Sequence, residues 1–293
     1  MIANKIMTEA LDIDHLRSWI GRSETHDDLM SPWTASALAA TLRNDDQAWQ
    51  AGQALPPLWH WCYFLPTAPQ IQLGPDGHPA RGGFLPPVPL PRRMWAGSQL
   101  EFFAPLSLGA PARKTSRVVD VAPKQGKAGA LVFVKVAHEV HGGDTLVLRD
   151  THDIVYREAA KPGESAPPQP PPSDAAWSVE HRPDATLLFR YSALTFNSHR
   201  IHYDHPYVTQ VEGYDDLVVH GPLIATLLLE AAQMHQPGQR VRAYRFKAVR
   251  PLTCGRLLRV CGYEADADGK VTLWAEDGQG ALLMQASAEF TSS

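Results

Sequence analysis

The sequence has few cysteines, no long apolar run at its start and no excess of charge of one sign. Its 293 residues hold 3 cysteines without metal-type spacing, which predicts unpaired thiols in a reducing cytoplasm. The formal net charge of −4 argues against nucleic acid or an anionic membrane as the main partner. The first residues place acids within their apolar pattern, so we expect no signal peptide.

The sequence contains enough apolar residues to form a full hydrophobic core. Apolar residues make up 44% of the chain and charged residues 20%, as in globular proteins of one large or two ordinary domains. The 25 prolines cluster, most densely at 74–97 and 161–173. We interpret the first cluster as a long functional loop and the second as an extended linker.

The pattern of apolar residues predicts mostly strands, with short helices at 7–20 and from Pro32. The alternation is clearest at 130–140, where Val132, Val134 and Val136 share one side. Strands are predicted at 57–66, 98–103, 113–121, 130–140, 145–156, 187–191, 242–250, 257–263, 271–276 and 281–290.

The order of elements repeats in the two halves of the chain. PLSLG at 105–109 and PLTCG at 251–255 each follow an aromatic strand and precede a long one. We therefore expect a duplication, with an N-terminal domain at 1–160, the linker at 161–173 and a C-terminal domain at 174–293.

The helix predicted to begin at Pro222 is the most apolar segment of the chain. Proline is tolerated in a first turn, and only Thr226 and Glu230 interrupt the apolar surface that follows. Such a helix, too short to span a membrane, is buried. An antiparallel sheet around one long buried helix is the hotdog architecture. The sequence thus predicts an α+β double hotdog of two sheets, each wrapping a helix.

The first half has no helix as apolar as this one, and the proline-rich stretch 74–97 stands in its place. We therefore expect the chemistry to reside in the second half. The first half is expected to accommodate the substrate without taking part in catalysis.

Several motifs identify a family resemblance. YSALTFNSHRIHYD (191–204) and VVHGPLIATLL (218–228) resemble the MaoC-like, R-specific enoyl-CoA hydratases, in the double-hotdog branch that includes type-2 hydroxyacyl-thioester dehydratases. PPLWHWCYFLP (56–66), the stretch 74–97 and DIVYRE (153–158) resemble the mesaconyl-C4-CoA (3-methylfumaryl-CoA) and itaconyl-CoA hydratases.

This resemblance implies a hydro-lyase that adds water reversibly across the double bond of a branched C5 dicarboxylyl-CoA. Itaconyl-CoA or mesaconyl-C4-CoA would give citramalyl-CoA, without a cofactor. Two alternatives stay open: a 3-hydroxyacyl-thioester dehydratase of fatty-acid synthesis, and a hotdog protein that binds acyl thioesters without turnover. A homodimer is also compatible with the resemblance.

The chain departs from the general hydratase motif of Gly-Asp, two residues, Pro, one residue and His. Phe196 and Asn197 stand for Gly-Asp and Arg200 for the proline, while His202 is kept. An amide cannot exchange a proton near neutral pH as a carboxylate can. We expect Asn197 to place the water or orient His202; the alternative is a residue of a tight Asx turn.

The other catalytic candidates follow from the needs of the reaction. His202 supplies a base that titrates near neutrality. The N–H of Gly221, at the start of the buried helix, can hold the oxyanion, unless the glycine serves only the turn into the helix. Glu230 is the one acid on that helix, and we expect it to be paired rather than catalytic.

Four further residues are expected to bind the substrate. Arg92 and Arg93 could meet a substrate carboxylate or the CoA phosphates. Trp95 and His220 are candidates for the wall of the site, with core packing and helix capping as their respective alternatives. The three-residue spacing of His199, His202 and His205 invites a metal interpretation, but Pro206 favours a loop and we expect no metal.

Overall fold

The computed structural model describes residues 11–42, 48–126, 129–158 and 167–292. None of the helices in these ranges is long and apolar enough to cross a membrane. The helices are α1 (Ile13–Arg17), α2 (Pro32–Leu42), α3 (Ala185–Leu194), α4 (His205–Gln210) and α5 (Gly221–Met234), with 3-10 turns at Trp59–Cys62, Gln70–Gln72 and Arg200–His202. The strands are β1 (Ser23–Leu29), β2 (Arg92–Phe102), β3 (Pro111–Gly126), β4 (Gly129–Gly142), β5 (Thr145–Arg157), β6 (Trp177–His181), β7 (Gln239–Ala248), β8 (Leu258–Gly262), β9 (Lys270–Asp277) and β10 (Leu282–Ser292).

These strands form a sheet whose order is mirrored about its centre. The order is β1-β3-β4-β5-β2-β7-β10-β9-β8-β6, so strands at corresponding places in the two halves take matching positions. The central pair is β2 with β7, antiparallel, with Gly97 opposite Lys247. A Cβ at Gly97 would lie 2.4 Å from the carbonyl oxygen of Phe246, so only glycine permits this approach. The predicted α+β double hotdog is observed, with its two antiparallel sheets joined by this pairing into one continuous sheet.

Helix α5 is the centre of the C-terminal half. Every residue from Leu223 to Ala232 is buried, and the helix contacts β7, β8, β9 and β10. Its two polar side chains are hydrogen-bonded: Thr226 donates to the carbonyl oxygen of Pro222 at 2.9 Å, and Glu230 accepts from Trp59 Nε1 at 2.9 Å. The predicted buried helix and the predicted pairing of Glu230 are both confirmed.

The proline-rich loop covers the sheet of the first half together with the short helix α1, whose Leu16 is buried in the same cluster. Val88 and Leu90 of this loop are buried against Val118, Val134 and Tyr156. Prolines bring no N–H, so the loop carbonyls need another donor. The guanidinium of Arg81 supplies it to residues 88, 90 and 91, with N–O distances between 2.5 and 2.8 Å.

Eight of the predicted strands are confirmed as β2 to β5 and β7 to β10, most with longer bounds. β2 begins at Arg92, inside the stretch 74–97 that was expected to be loop. The helix expected from Pro32 is confirmed as α2. Of the helix expected at 7–20, only α1 is observed, and residues 7–10 lie outside the described ranges.

Two predicted strands are wrong. The run 57–66 contains a 3-10 turn, and the prolines that bound it could not have donated to a sheet ladder. Residues 187–191 lie in α3, which Asp184 caps by accepting from the Leu187 N–H at 2.8 Å. Such a cap favours helix over strand.

The predicted linker is only partly visible, since residues 161–166 lie outside the described ranges. Residues 167–173 form no helix or strand. They are attached to the second half: the carbonyl oxygen of Gln169 accepts from the Leu282 N–H at 2.9 Å, and that of Ser173 accepts from the Tyr263 hydroxyl at 2.8 Å.

Candidate active site

A cavity of about 1620 Å³ lies between the two halves. Its wall is built by the proline-rich loop and β2 from the first half, and by the loop after α3 and the start of α5 from the second. All seven residues expected in the site line it. They are His202, Asn197, Gly221, Arg92, Arg93, Trp95 and His220.

His202 lies on the 3-10 turn Arg200–His202 and is buried. Its Nδ1 is 2.7 Å from the carbonyl oxygen of Val218, so Nδ1 carries the proton and Nε2 is left as an acceptor. Burial lowers the pKa of His202 to about 4, although the Val218 hydrogen bond opposes this. The ring is therefore neutral near pH 7, which is the form that a general base needs.

His220 packs flat against His202, with ring centroids 3.6 Å apart and planes 19° from parallel. Its Nε2 lies 2.9 Å from the hydroxyl oxygen of Ser192. It occupies the N-cap position of α5, but its side chain makes no capping hydrogen bond. Of the alternatives for His220, helix capping is therefore wrong, and packing against the base is what the geometry shows.

Gly221 begins α5, where the unpaired N–H groups and the helix dipole favour negative charge. A Cβ built on Gly221 meets no atom within 4 Å, and its φ is an ordinary one. Neither backbone conformation nor close packing therefore requires glycine here. Because Gly221 lines the cavity, the space that its missing side chain leaves belongs to the cavity, beside the helix N-terminus.

Asn197 stabilises the conformation of the loop between α3 and α4 (195–204). Its Oδ1 accepts from the His199 N–H at 3.0 Å, and its own N–H donates to the carbonyl oxygen of Ser192 at 2.8 Å. The first bond is the Asx-turn geometry that was left open as an alternative. It occupies the side-chain oxygen and leaves Nδ2 to donate toward the cavity.

The two arginines at the start of β2 differ in their partners. Arg92 donates to the carbonyl oxygen of Glu212 at 2.8 Å and pairs with the Glu212 carboxylate at 3.3 Å. Arg93 has no carboxylate within ion-pair distance among the described residues, and its charge acts on Tyr156 and His78. Arg93 therefore lines the cavity without the carboxylate partner that Arg92 has.

Trp95 forms a wall of the cavity and is fixed on both sides. Its Nε1 donates to the carbonyl oxygen of Gly97 at 2.9 Å. Its ring lies 4.0 Å from that of His152 and 4.9 Å from that of Trp61, between centroids. It both packs against neighbours and faces the cavity.

A buried polar cluster in the same cavity was not predicted from the sequence. Asp150 accepts from Trp61 Nε1 and His152 Nε2, each at 2.8 Å, and His60 Nε2 lies at 3.5 Å. Burial alone would raise the pKa of Asp150, but His152 and His60 hold it well below its usual value. The only signal in the sequence is an acid inside the apolar pattern of β5.

One set of described side chains has the spacing of metal ligands, and it differs from the set considered above. Ligand atoms of Asp76, His78 and His199 lie within 4.8 Å of one another. His205 instead points to Asp216, with 3.8 Å between Nε2 and the carboxylate. The fold thus separates His199 from His205 and joins it to the proline-rich loop.

A continuous antiparallel sheet of mirrored halves around one long buried helix, with a neutral histidine beside that helix's N-terminus, defines a double-hotdog enzyme of the MaoC-like type. The fold is similar to a MaoC-like dehydratase from Phytophthora capsici (TM-score 0.70, 15% identity, 96% of this chain and 99% of that one). It is also similar to a Mycobacterium tuberculosis protein with a double hotdog fold (TM-score 0.52, 16% identity, 93% and 96%).

The sequence comparisons are more specific. The family model of hydroxyacyl-thioester dehydratase type 2 matches residues 58–254. The chain is 44% identical to a mesaconyl-C(4)-CoA hydratase of Chloroflexus aurantiacus over 273 residues, 93% of this chain and 96% of that protein. The chain belongs to the type-2 hydroxyacyl-thioester dehydratase family, and it is a hydro-lyase of thioester substrates.

Proposed function

We propose that this protein adds water reversibly across the double bond of a branched C5 dicarboxylyl-CoA, mesaconyl-C4-CoA or itaconyl-CoA, to give citramalyl-CoA. The observation that carries the proposal is the placement of His202, with Nε2 free, beside the N-terminus of α5 in one cavity. The 44% identity to a mesaconyl-C(4)-CoA hydratase supports the choice of substrate.

For mesaconyl-C4-CoA, in this proposal, His202 Nε2 takes a proton from water while the water oxygen bonds to Cβ of the enoyl group. The π electrons move toward the thioester, whose oxygen becomes an enolate oxygen. The N–H of Gly221 donates to that oxygen, where the helix dipole adds to the stabilisation. Protonation at Cα completes the addition, and His220 keeps the ring of His202 in position.

A C5 dicarboxylyl group carries a free carboxylate, which needs a cation inside the cavity. Arg93 is that cation in the proposal, because the charge of Arg92 is already neutralised by Glu212. Trp95 borders the acyl group on the side of β2. Arg92 keeps a supporting role, since it ties β2 to the second half through Glu212.

The division of labour between the halves also belongs to the proposal. Residues 1–160 accommodate the acyl group without supplying the base, and residues 174–293 supply His202, Asn197 and Gly221. The described cysteines are all free, which supports a cytoplasmic location. A homodimer stays a prediction.

The test is a substrate panel: loss of the absorbance of the conjugated enoyl thioester follows mesaconyl-C4-CoA and the straight-chain 2-enoyl-CoAs, and chromatography of the product follows itaconyl-CoA, whose double bond is not conjugated with the thioester. Mesaconyl-C4-CoA and itaconyl-CoA are compared with straight-chain 2-enoyl-CoA of increasing length. Preference for the straight chains would replace the proposal by a 3-hydroxyacyl-thioester dehydratase of fatty-acid synthesis; the family name includes the dehydratase activity. Binding of every thioester without turnover would make the protein a binding module.

A further inference from the structure

Asp76 and His78 of the proline-rich loop form a carboxylate–histidine pair that faces the cavity. Asp76 Oδ2 lies 3.2 Å from His78 Nδ1, and Asp76 Oδ1 accepts from the His78 backbone N–H at 3.0 Å. Since the carboxylate fixes the proton on Nδ1, Nε2 of His78 is left for a ligand. This is the same tautomer as that of His202, but with a carboxylate in place of a carbonyl group.

The proline-rich loop, which carries this pair, contacts the loop between α3 and α4 directly. The Arg200 N–H donates to the carbonyl oxygen of Asp76 at 2.9 Å, and the Ser198 hydroxyl donates to that of Gly77 at 2.5 Å. Gly77 has a φ of +88°, and a Cβ there would lie 1.9 Å from the carbonyl oxygen of Ser198. Only glycine allows the two loops to come this close.

A row of imidazole rings connects the pair to the base. The centroids of His78 and His199 are 4.1 Å apart, and those of His199 and His202 are 5.6 Å apart. All three rings line the cavity. The carboxylate at the far end of the row is supplied by the first half of the chain, whereas the second half carries the amide of Asn197 at the position of the acid in the general hydratase motif that the sequence resembles.

We propose that His78, supported by Asp76, is a second proton-transfer group of this active site and takes over the task of the carboxylate that Asn197 lacks. The proposal rests on the hydratase function proposed above. It makes the first half of the chain a contributor to catalysis and not only to substrate accommodation.

The proton balance of the addition is as follows. His202 Nε2 removes a proton from water as the C–O bond forms at Cβ, and the electrons of the double bond pass to the thioester oxygen. The proton on His202 then passes to His78 Nε2 through the row or through water. When the electrons return, Cα forms its C–H bond with this proton, so both histidines are neutral again and the net change is the addition of one water molecule.

The charges around the row keep its three rings neutral before the reaction. Burial lowers the pKa values of His78, His199 and His202, and the charge of His78 lowers that of His202 further. At His78, Asp76 raises the pKa, while Arg93 and Arg81 lower it. The row therefore carries an extra proton only during turnover, and the Asp76 carboxylate stabilises that proton when it reaches His78.

The test compares His78→Gln and Asp76→Asn in the wild-type chain and in an Asn197→Asp background, with mesaconyl-C4-CoA as substrate. In the wild-type chain we expect His78→Gln to lower kcat about 10²-fold or more, with KM nearly unchanged, and Asp76→Asn to lower it less. Because Asn197→Asp restores a carboxylate to the second half, the loss from His78→Gln should shrink about tenfold in that background. His181→Gln is the control, since His181 lies on β6 away from the cavity.

Full kcat in His78→Gln would overturn the proposal. So would losses of equal size in both backgrounds with an unchanged pH–rate profile, because they would show a structural role. Circular dichroism and thermal unfolding check that each variant is folded. If His78→Gln does not fold, the isosteric variant Asp76→Asn tests the proposal in its place. An inactive wild-type chain would overturn the proposed function itself, whereas an active wild type with a fully active His78→Gln overturns only this inference.

Discussion

Trp59 Nε1 donates to Glu230 Oε1 across 2.9 Å, and this bond joins the two halves inside the core. Trp59 is fully buried on a 3-10 turn of the first half, and Glu230 is 9% exposed on α5 of the second. Residues of both halves belong to one hydrophobic cluster. The structure therefore favours a single cooperative unit over two independent domains.

Cleavage of the linker should accordingly leave the halves associated. We expect limited proteolysis within residues 161–173 to give two fragments that co-elute under native conditions. Separation of the fragments on a sizing column would contradict the prediction.

The bond between Trp59 and Glu230 should also contribute to stability. Trp59→Phe should lower the free energy of unfolding by about 1–3 kcal/mol, because Glu230 loses a buried donor. Denaturant unfolding measures this change, and Trp33→Phe, at an exposed tryptophan, is the control.

His202→Ala should lower kcat by roughly 10²–10⁴ while the chain stays folded. In the wild-type enzyme the neutral ring is the active base, so the activity should be lost as the pH falls through the lowered pKa of His202, about 4, and be flat near neutrality. Initial rates of hydration between about pH 3.5 and 8 check this, within the range in which the fold is intact. Near-normal turnover of the alanine variant would remove His202 from the mechanism.

Substitutions at Asn197 should separate its two roles. Asn197→Ala removes the acceptor of the His199 N–H and should lose most of the activity. Asn197→Asp keeps that acceptor and adds a charge that stabilises the imidazolium form of His202, so it should keep some activity and raise the pKa of His202. The acid limb of the pH–rate profile then moves to higher pH. An alanine variant as active as wild type would leave Asn197 without a role in turnover.

The arginines of β2 should differ in their effect on substrate affinity. Arg93→Gln should raise KM for mesaconyl-C4-CoA at least tenfold, since the substrate carboxylate loses the cation proposed to bind it, and should change KM for an uncharged enoyl-CoA little. Arg92→Gln is the matched control. It should cost stability through the loss of the Glu212 contacts, with similar effects on both substrates. Equal effects of Arg93→Gln on both substrates would count against the carboxylate assignment.

The parts of this fold that could be predicted from the sequence are those specified by local patterns. Val132, Val134 and Val136 alternate as a half-buried strand must, and all three are buried on β4. Pro222 marks the start of α5 because a first turn tolerates proline. The edge strands β1 and β6 could not be predicted in this way, since β1 has no buried residue and its pattern reads as loop.

The residues of the site divide in the same way, into those that local sequence patterns indicate and those that they do not. Gly221 is recognisable because it begins the buried helix, and His202 because it stands in the motif YSALTFNSHRIHYD (191–204). Asp76, His78 and Asp150 are brought to the cavity by contacts between distant parts of the chain, and their local sequence does not indicate this meeting. The strand predicted at 57–66 failed for a related reason: Trp59, His60 and Cys62 are buried without the alternation that a strand requires.

The pairing of β2 with β7 also determines how freely the two halves can diverge. In a symmetric dimer each substitution occurs twice, so a change that helps one side of an interface also alters the other. Here Gly97 faces Lys247 across a junction within a single polypeptide, so a change on one side of the junction is not repeated on the other. One half could thus exchange its central helix for the proline-rich loop while the other kept the helix whose first turn faces the base.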